Sequence, residues 1–284
     1  MGRKQASFPN AEADLETAKK SLETPQTQAP AYRLAFADAD FLCRDELRAT
    51  RIQLEMMKPE IILAERGIES TVVMFGGARI PDPEFKDKAR TKTLSDLSHY
   101  YDEARSFARV VTERSMKSYG KENVIVTGGG PGVMEAGNRG AVDAGGASIA
   151  LNIVLPFEQA PNEYCTPELC FNFHYFATRK IHFLMRAKTV TAFPGGFGTL
   201  DELFETLTLI QTQRMRAVPV ILFGEKFWRS IINWENLADA GTIAAEDLDL
   251  FHFVETADEA LAIMDKWDAE NPSLSMIYST SSVR

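Results

Sequence analysis

The chain has 284 residues, 45% apolar and 25% charged, with a formal net charge of −9 and an isoelectric point near 5.1. It is long enough for one substantial core with an appended segment, and its acidity argues against a surface made to neutralise nucleic-acid phosphates or to lie on an anionic membrane. The three cysteines, Cys43, Cys165 and Cys170, fit neither a zinc ribbon nor a disulfide framework, and no run approaches the roughly 18 apolar residues of a membrane span, so a cytoplasmic protein without nucleic-acid or membrane partners is expected.

Residues 1–35, rich in Ala, Pro, Gln, Thr and charge, read as a mobile tail. Over 36–68 the pattern turns helical, with Leu47, Leu54, Met57 and Ile61 at spacings of seven, three and four. Pro59 is expected to break or kink this helical N-terminal extension, giving two short helices. Over 69–272, short β-branched runs at 71–75, 124–127, 147–152, 171–175, 189–193, 218–223 and 250–254 alternate with amphipathic stretches. Nearly continuous apolar strands mark a parallel sheet covered on both faces. The fold class expected is therefore α/β, a Rossmann-like doubly wound parallel sheet in three α/β/α layers, with a C-terminal tail at 273–284. Ligands of such sheets lie outside the carboxyl ends of the strands, where strand order reverses.

Three glycine-containing loops fall at such ends: Gly76-Gly77-Ala78-Arg79, Gly128-Gly129-Gly130-Pro131-Gly132, and Pro194-Gly195-Gly196-Phe197-Gly198-Thr199. The second and third lead into helices, so their amides can approach an anion without an intervening Cβ while the helix terminus adds a favourable field. One such loop alone reads equally well as a tight turn; three at one sheet edge favour phosphate binding. A Walker loop is excluded, because Gly137-Asn138-Arg139 follows Gly132 with no Lys-Ser/Thr. The dinucleotide fingerprint fails as well, since Val133 or Glu135 stands where its third glycine belongs.

In the third loop, P-G-G-F-G-T-L-D-E places Glu202 in the first turn of the next helix. Upstream, Arg179 and Lys180 stand at the opening of another helix, where cations oppose the dipole and an anionic ligand would account for them. A solvated charged pair is the bland alternative. His174 and His182, alternating with aromatics, read as packed structural histidines, Asp201 and Glu205 as surface charges, and the cysteines lack an activating partner.

The nine-residue motif at Pro194 to Glu202, the Arg179-Lys180 pair and the Gly128 to Gly132 loop resemble the LONELY GUY (LOG) family, cytokinin-activating phosphoribohydrolases long mislabelled as lysine decarboxylases. The resemblance spans roughly 71–222. It implies Arg179 and Glu202 as the catalytic pair, and Lys180, Gly195, Gly196, Gly198, Thr199, Thr208 and Glu158 as substrate contacts. Gly76 and Arg79 of the first loop and Gly129, Gly130 and Gly132 of the second join that set as candidates. The implied reaction is hydrolysis of the N-glycosidic bond of a nucleoside 5′-monophosphate, of the AMP or cytokinin riboside type, with no metal and no cofactor. A homodimer or larger homo-oligomer is implied as well. Phe176 and Phe183 replace methionines of the family pattern, a departure that speaks against the cytokinin base and resembles a bacterial branch of longer proteins related to nucleosidases of ordinary purine or pyrimidine monophosphates. Nothing sets a Schiff-base lysine beside a pyridoxal phosphate site, so lysine decarboxylation does not follow. The alternative from another class is a non-catalytic nucleotide or phosphate-ligand binding or carrier protein, which would keep the loops without needing the Arg-Glu pair.

Overall fold

The computed structural model describes residues 9–156 and 160–272, and the chain divides into two compact units, Met1–Met57 and Lys58–Arg284. The first contains helices α1 (Ala11–Ala18), α2 (Pro25–Gln28) and α3 (Ala39–Leu42) and the start of α4 (Arg48–Glu65). Where the sequence reading placed a tail, α1 and α2 are capped: Asn10 accepts from the Ala13 N–H, and Thr24 and Thr27 form a reciprocal capping box. Side-chain caps satisfy helix-terminal N–H groups one by one, a local effect that composition does not register. The expected break at Pro59 is also absent, since α4 runs unbroken for 18 residues. Proline deletes one ladder hydrogen bond, and here its ring is among the buried residues of the helix.

The second unit is built on seven strands: β1 (Thr71–Phe75), β2 (Val124–Thr127), β3 (Ser148–Ile153), β4 (Cys170–Phe173), β5 (Ala187–Ala192), β6 (Val220–Phe223) and β7 (His252–Val254). They pair in parallel in the order β4-β3-β2-β1-β5-β6-β7. Between them run α5 (Lys92–Asp96), α6 (His99–Ser115), α7 (Val133–Asp143), α8 (Phe176–Leu184), α9 (Phe197–Gln211), α10 (Glu225–Ile231) and α11 (Trp234–Asp239), with α12 (Ala257–Glu270) last. This is the doubly wound α/β sheet that the apolar runs imply.

Strand alternation feeds both faces. Val72, Met74, Ile125, Ile221 and Phe223 pack against α6, α7 and α12. Val73, Phe75, Val126, Leu151 and Val190 pack against Leu63 and α8. Ala192, Val220 and Leu222 pack under α9 to α11. Every residue of β1 is buried, as expected of a strand with helices on both sides; full burial of each large side chain contributes about 1.5–3 kcal/mol. β6 begins at Val220 rather than 218 because Pro219 has no N–H to give a neighbouring strand, while its carbonyl still accepts from Val190. Strand order reverses between β1 and β5, so the loops leaving these strands flank the switch-point crevice. No helix among the described residues is long and apolar enough to cross a membrane.

Candidate active site

The three glycine loops are joined at that crevice by backbone hydrogen bonds. Gly77 N–H donates to the Pro194 carbonyl at 2.9 Å, and Val133 N–H donates to the Gly77 carbonyl at 3.3 Å. Gly132 makes the second contact possible: with φ +70° it occupies the left-handed half of backbone space, and a Cβ there would press on the Gly77 carbonyl and lie 2.9 Å from the Ala78 carbonyl carbon. Because backbone on both sides fixes these atoms, Gly132→Ala is expected to cost about 3 kcal/mol or more, read as a lowered chemical-denaturation midpoint.

Helix α9 starts at Phe197 with no side-chain cap. Among the described residues, the N–H groups of Gly195, Gly196, Phe197, Gly198 and Thr199 find no acceptor. Five consecutive donors thus lie at and just before the positive end of a 15-residue helix, where an anion is favoured. A Cβ at Gly196 or Gly198 would meet nothing within 4 Å among the described residues, so none of these requires glycine there, whereas absent side chains leave the amides accessible. Gly195 is packed beneath Thr199, whose side chain would collide with a Cβ.

Arg179 approaches from α8. Its Nε donates to the Leu151 carbonyl of β3 at 2.7 Å, its guanidinium carbon lies 5.2 Å from the Phe183 ring centroid, and its Nη1 stands 3.6 Å from Glu202 Oε1. A Cβ on Gly128 would come within 2.5 Å of Arg179 Nη2, so this glycine admits the guanidinium to the sheet edge. Glu202 lies three residues beyond Thr199, about 4.5 Å along the helix axis, in the second turn of α9 and not the first as expected, because the helix already opens at Phe197. Its side chain is only 13% exposed. Burial pushes the carboxyl up to about 7, with the nearby Asp201 and Glu205 charges acting in the same sense, while the Arg179 and Lys180 charges pull it down. Such a carboxyl exchanges its proton near neutral pH, as a general base requires.

The other candidates fall in different places. Lys180 is turned to α9, where its Nζ pairs with Asp201 at 3.2 Å and Glu205 at 3.0 Å; these carboxylates are ion-paired, not merely solvated. Thr208 is exposed six residues beyond Glu202, and its carbonyl accepts from Thr212. That separation corresponds to about 9 Å along the axis and a different helix face. Gly76 abuts the Val133 side chain and is explained by packing. Arg79 is exposed in the turn four residues beyond the end of β1 and forms no ion pair with another described residue. Gly129 lies against the Asn152 amide, and Gly130 precedes the turn at Pro131. Glu158 lies outside the described residues. His182 is buried with its ring 5.5 Å from Phe173 and its Nδ1 3.6 Å from Glu60, consistent with a packed histidine. Burial pushes the Cys165 thiol up to about 12, far from the thiolate a nucleophile needs.

Phe75, Lys180, Phe183, Leu184 and Glu205 close around Glu202 and leave no room for a ligand among them, and the glycine loops are not part of that lining.

Sequence reasoning missed the polar support under the second loop. Thr127 Oγ1 and the Asn162 amide donate to Asn138 Oδ1, Asn138 in turn donates to Ser148, and Gly129 N–H donates to Thr127 Oγ1. Asn138 is fully buried. Its only sequence signal is a polar residue on the otherwise apolar inner face of α7.

Fold and loops together define an α/β protein with a row of loop amides lacking acceptors, among the described residues, at the strand-reversal point of a parallel sheet. A family model described as "Possible lysine decarboxylase" matches residues 134–264, which include Arg179, the third glycine loop and Glu202. No curated protein matches the chain. Among solved structures, it is similar to the molybdenum cofactor binding protein of the phototrophic bacterium Rippkaea orientalis, with 16% identity over 69% of this chain and 96% of that chain and a TM-score of 0.47. It is also similar to the molybdenum cofactor carrier protein of Chlamydomonas reinhardtii, with 18% identity over 70% of this chain and 99% of that chain and a TM-score of 0.43. These likenesses bear on the fold alone.

Proposed function

We propose that this protein hydrolyses the N-glycosidic bond of nucleoside 5′-monophosphates, releasing the free base and ribose 5-phosphate. One observation carries the reading: a largely buried Glu202, beside Arg179 at 3.6 Å, stands in the second turn of α9, the helix at whose start five N–H groups are without acceptors among the described residues. The amides of 195–199 take the 5′-phosphate, which directs C1′ of the sugar toward Glu202. As the C1′–N bond breaks, its electron pair leaves with the base and positive charge grows on the sugar, where the carboxylate stabilises it. Water then adds to C1′ and its proton passes to Glu202, which releases it to the departing base nitrogen, so that one water is added across the C1′–N bond and the carboxylate is regenerated. Arg179 stays protonated, so its part is to orient Glu202, hold it partly ionised, and stabilise charge on the substrate. Lys180 sits in an ion cluster with Asp201 and Glu205 and supports α9 rather than the phosphate.

The test is incubation with a panel of nucleoside 5′-monophosphates, the matching nucleosides, and a cytokinin riboside monophosphate. Free base and ribose 5-phosphate are expected from monophosphates, with rates at least about a hundredfold lower for nucleosides because the phosphate anchor is lost. Tight binding of monophosphates with no base released would identify a carrier instead.

A further inference from the structure

Asn162, in the connection between β3 and β4, grips the second glycine loop. Its backbone N–H donates to the Gly129 carbonyl at 2.8 Å. The two hydrogens of its side-chain amide are shared among three acceptors, the carbonyls of Gly129 and Gly130 at 3.1 and 3.0 Å and Asn138 Oδ1 at 2.9 Å. Its Oδ1 accepts from the Tyr164 N–H at 3.2 Å, which fixes the end of the amide that faces the loop. One residue thus ties down two successive loop carbonyls from the same side.

The consequence follows from peptide geometry. No peptide bond among the described residues is cis, and in a trans peptide the carbonyl and the following N–H point in opposite directions. Drawing the Gly129 carbonyl toward Asn162 therefore turns the Gly130 N–H away from it. The Gly130 carbonyl is followed by Pro131, which has no N–H. Among the described residues, the N–H groups of Gly128, Gly130 and Gly132 find no acceptor, although all three residues are buried. Buried donors left without acceptors are costly unless a ligand meets them. Gly77 joins this loop to the one before α9, so the two sets of amides are neighbours.

We propose that Asn162 is a positioning residue: by holding the carbonyls of Gly129 and Gly130 on one side, it keeps the amides of the second loop turned toward the 5′-phosphate as a second set of donors. This rests on the phosphate-anchored reading above. Asn162 touches neither Glu202 nor Arg179, so it acts on substrate capture rather than on bond cleavage. A carboxylate in its place would face two carbonyl oxygens with no proton to offer, and the loop would swing to relieve the repulsion.

The test compares the parent protein with Asn162→Ala and Asn162→Asp, measuring inorganic phosphate affinity by calorimetry and AMP hydrolysis by steady-state kinetics. Phosphate affinity is expected to fall about tenfold in each variant, and KM for AMP to rise by a similar factor while kcat stays within about twofold. A merely structural role would lower kcat and the melting temperature and leave phosphate affinity per folded molecule unchanged; that result overturns the inference. Should Asn162→Ala fail to fold, Asn162→Asp decides, because it keeps size and backbone contact. Parent protein that binds phosphate but releases no base defeats the hydrolase reading and leaves the phosphate comparison decisive for Asn162. Parent protein that binds no phosphate defeats both.

Discussion

Glu202→Gln is expected to lower kcat for AMP hydrolysis by about a thousandfold while changing phosphate affinity by less than about threefold, since the loop amides stay in place. Glutamine keeps the shape of the side chain but can neither carry the negative charge that meets an oxocarbenium-like centre nor take a proton from water. The pH dependence follows from the same group. A carboxyl pushed up to about 7 must lose its proton to act, so the parent kcat/KM should rise through an acid limb centred near 7. Stability moves the opposite way. The folded value lies above the ordinary 4.5, so between about pH 4.5 and 7 the folded chain holds a proton that the unfolded chain has released, and stability falls as pH rises through that window. The fall amounts to at most about 3 kcal/mol. Denaturant titrations from pH 4.5 to 8 should show a flatter profile for Glu202→Gln; parallel profiles would mean that the carboxyl titrates normally.

Arg179→Ala should be nearly as damaging, for a different reason. The guanidinium bonds the Leu151 carbonyl, covers Phe183 and pulls the Glu202 carboxyl toward ionisation. Its removal leaves a buried carbonyl without its donor and a buried carboxyl without its nearest counter-charge, costing about 3 kcal/mol of stability. Glu202 then titrates above 7, so turnover at pH 7 should fall about a thousandfold and recover in part toward pH 9. Arg179→Lys restores the charge without the planar fork, and should return the midpoint toward 7 while leaving kcat reduced. An acid limb that stays put in Arg179→Ala would contradict the coupling.

The sheet was legible because strands covered on both faces must be apolar at every position, as β1 is. Strand ends were less so: β4 stops at Phe173, and Tyr175, read as strand, is the N-cap position of α8. Arg179 and Glu202 were readable as a pair only through their motif, since the β4-α8-β5-α9 connection, and no local pattern, brings residues 23 apart in sequence together. Lys180 shows the limit of adjacency. Neighbours on a helix diverge by about 100°, so the residue beside Arg179 faces Asp201 and Glu205 instead. Asn162 was invisible because its importance lies in three acceptors from two distant segments, and a single asparagine in a loop carries no periodicity or spacing that announces them.

The most direct measurement is a crystal structure with ribose 5-phosphate bound. The phosphate should accept hydrogen bonds from the backbone N–H groups of 195–199, with C1′ turned toward the Glu202 carboxylate and Arg179 still beside it. A sugar phosphate seated elsewhere on the molecule, or one whose C1′ points away from Glu202, would contradict the account.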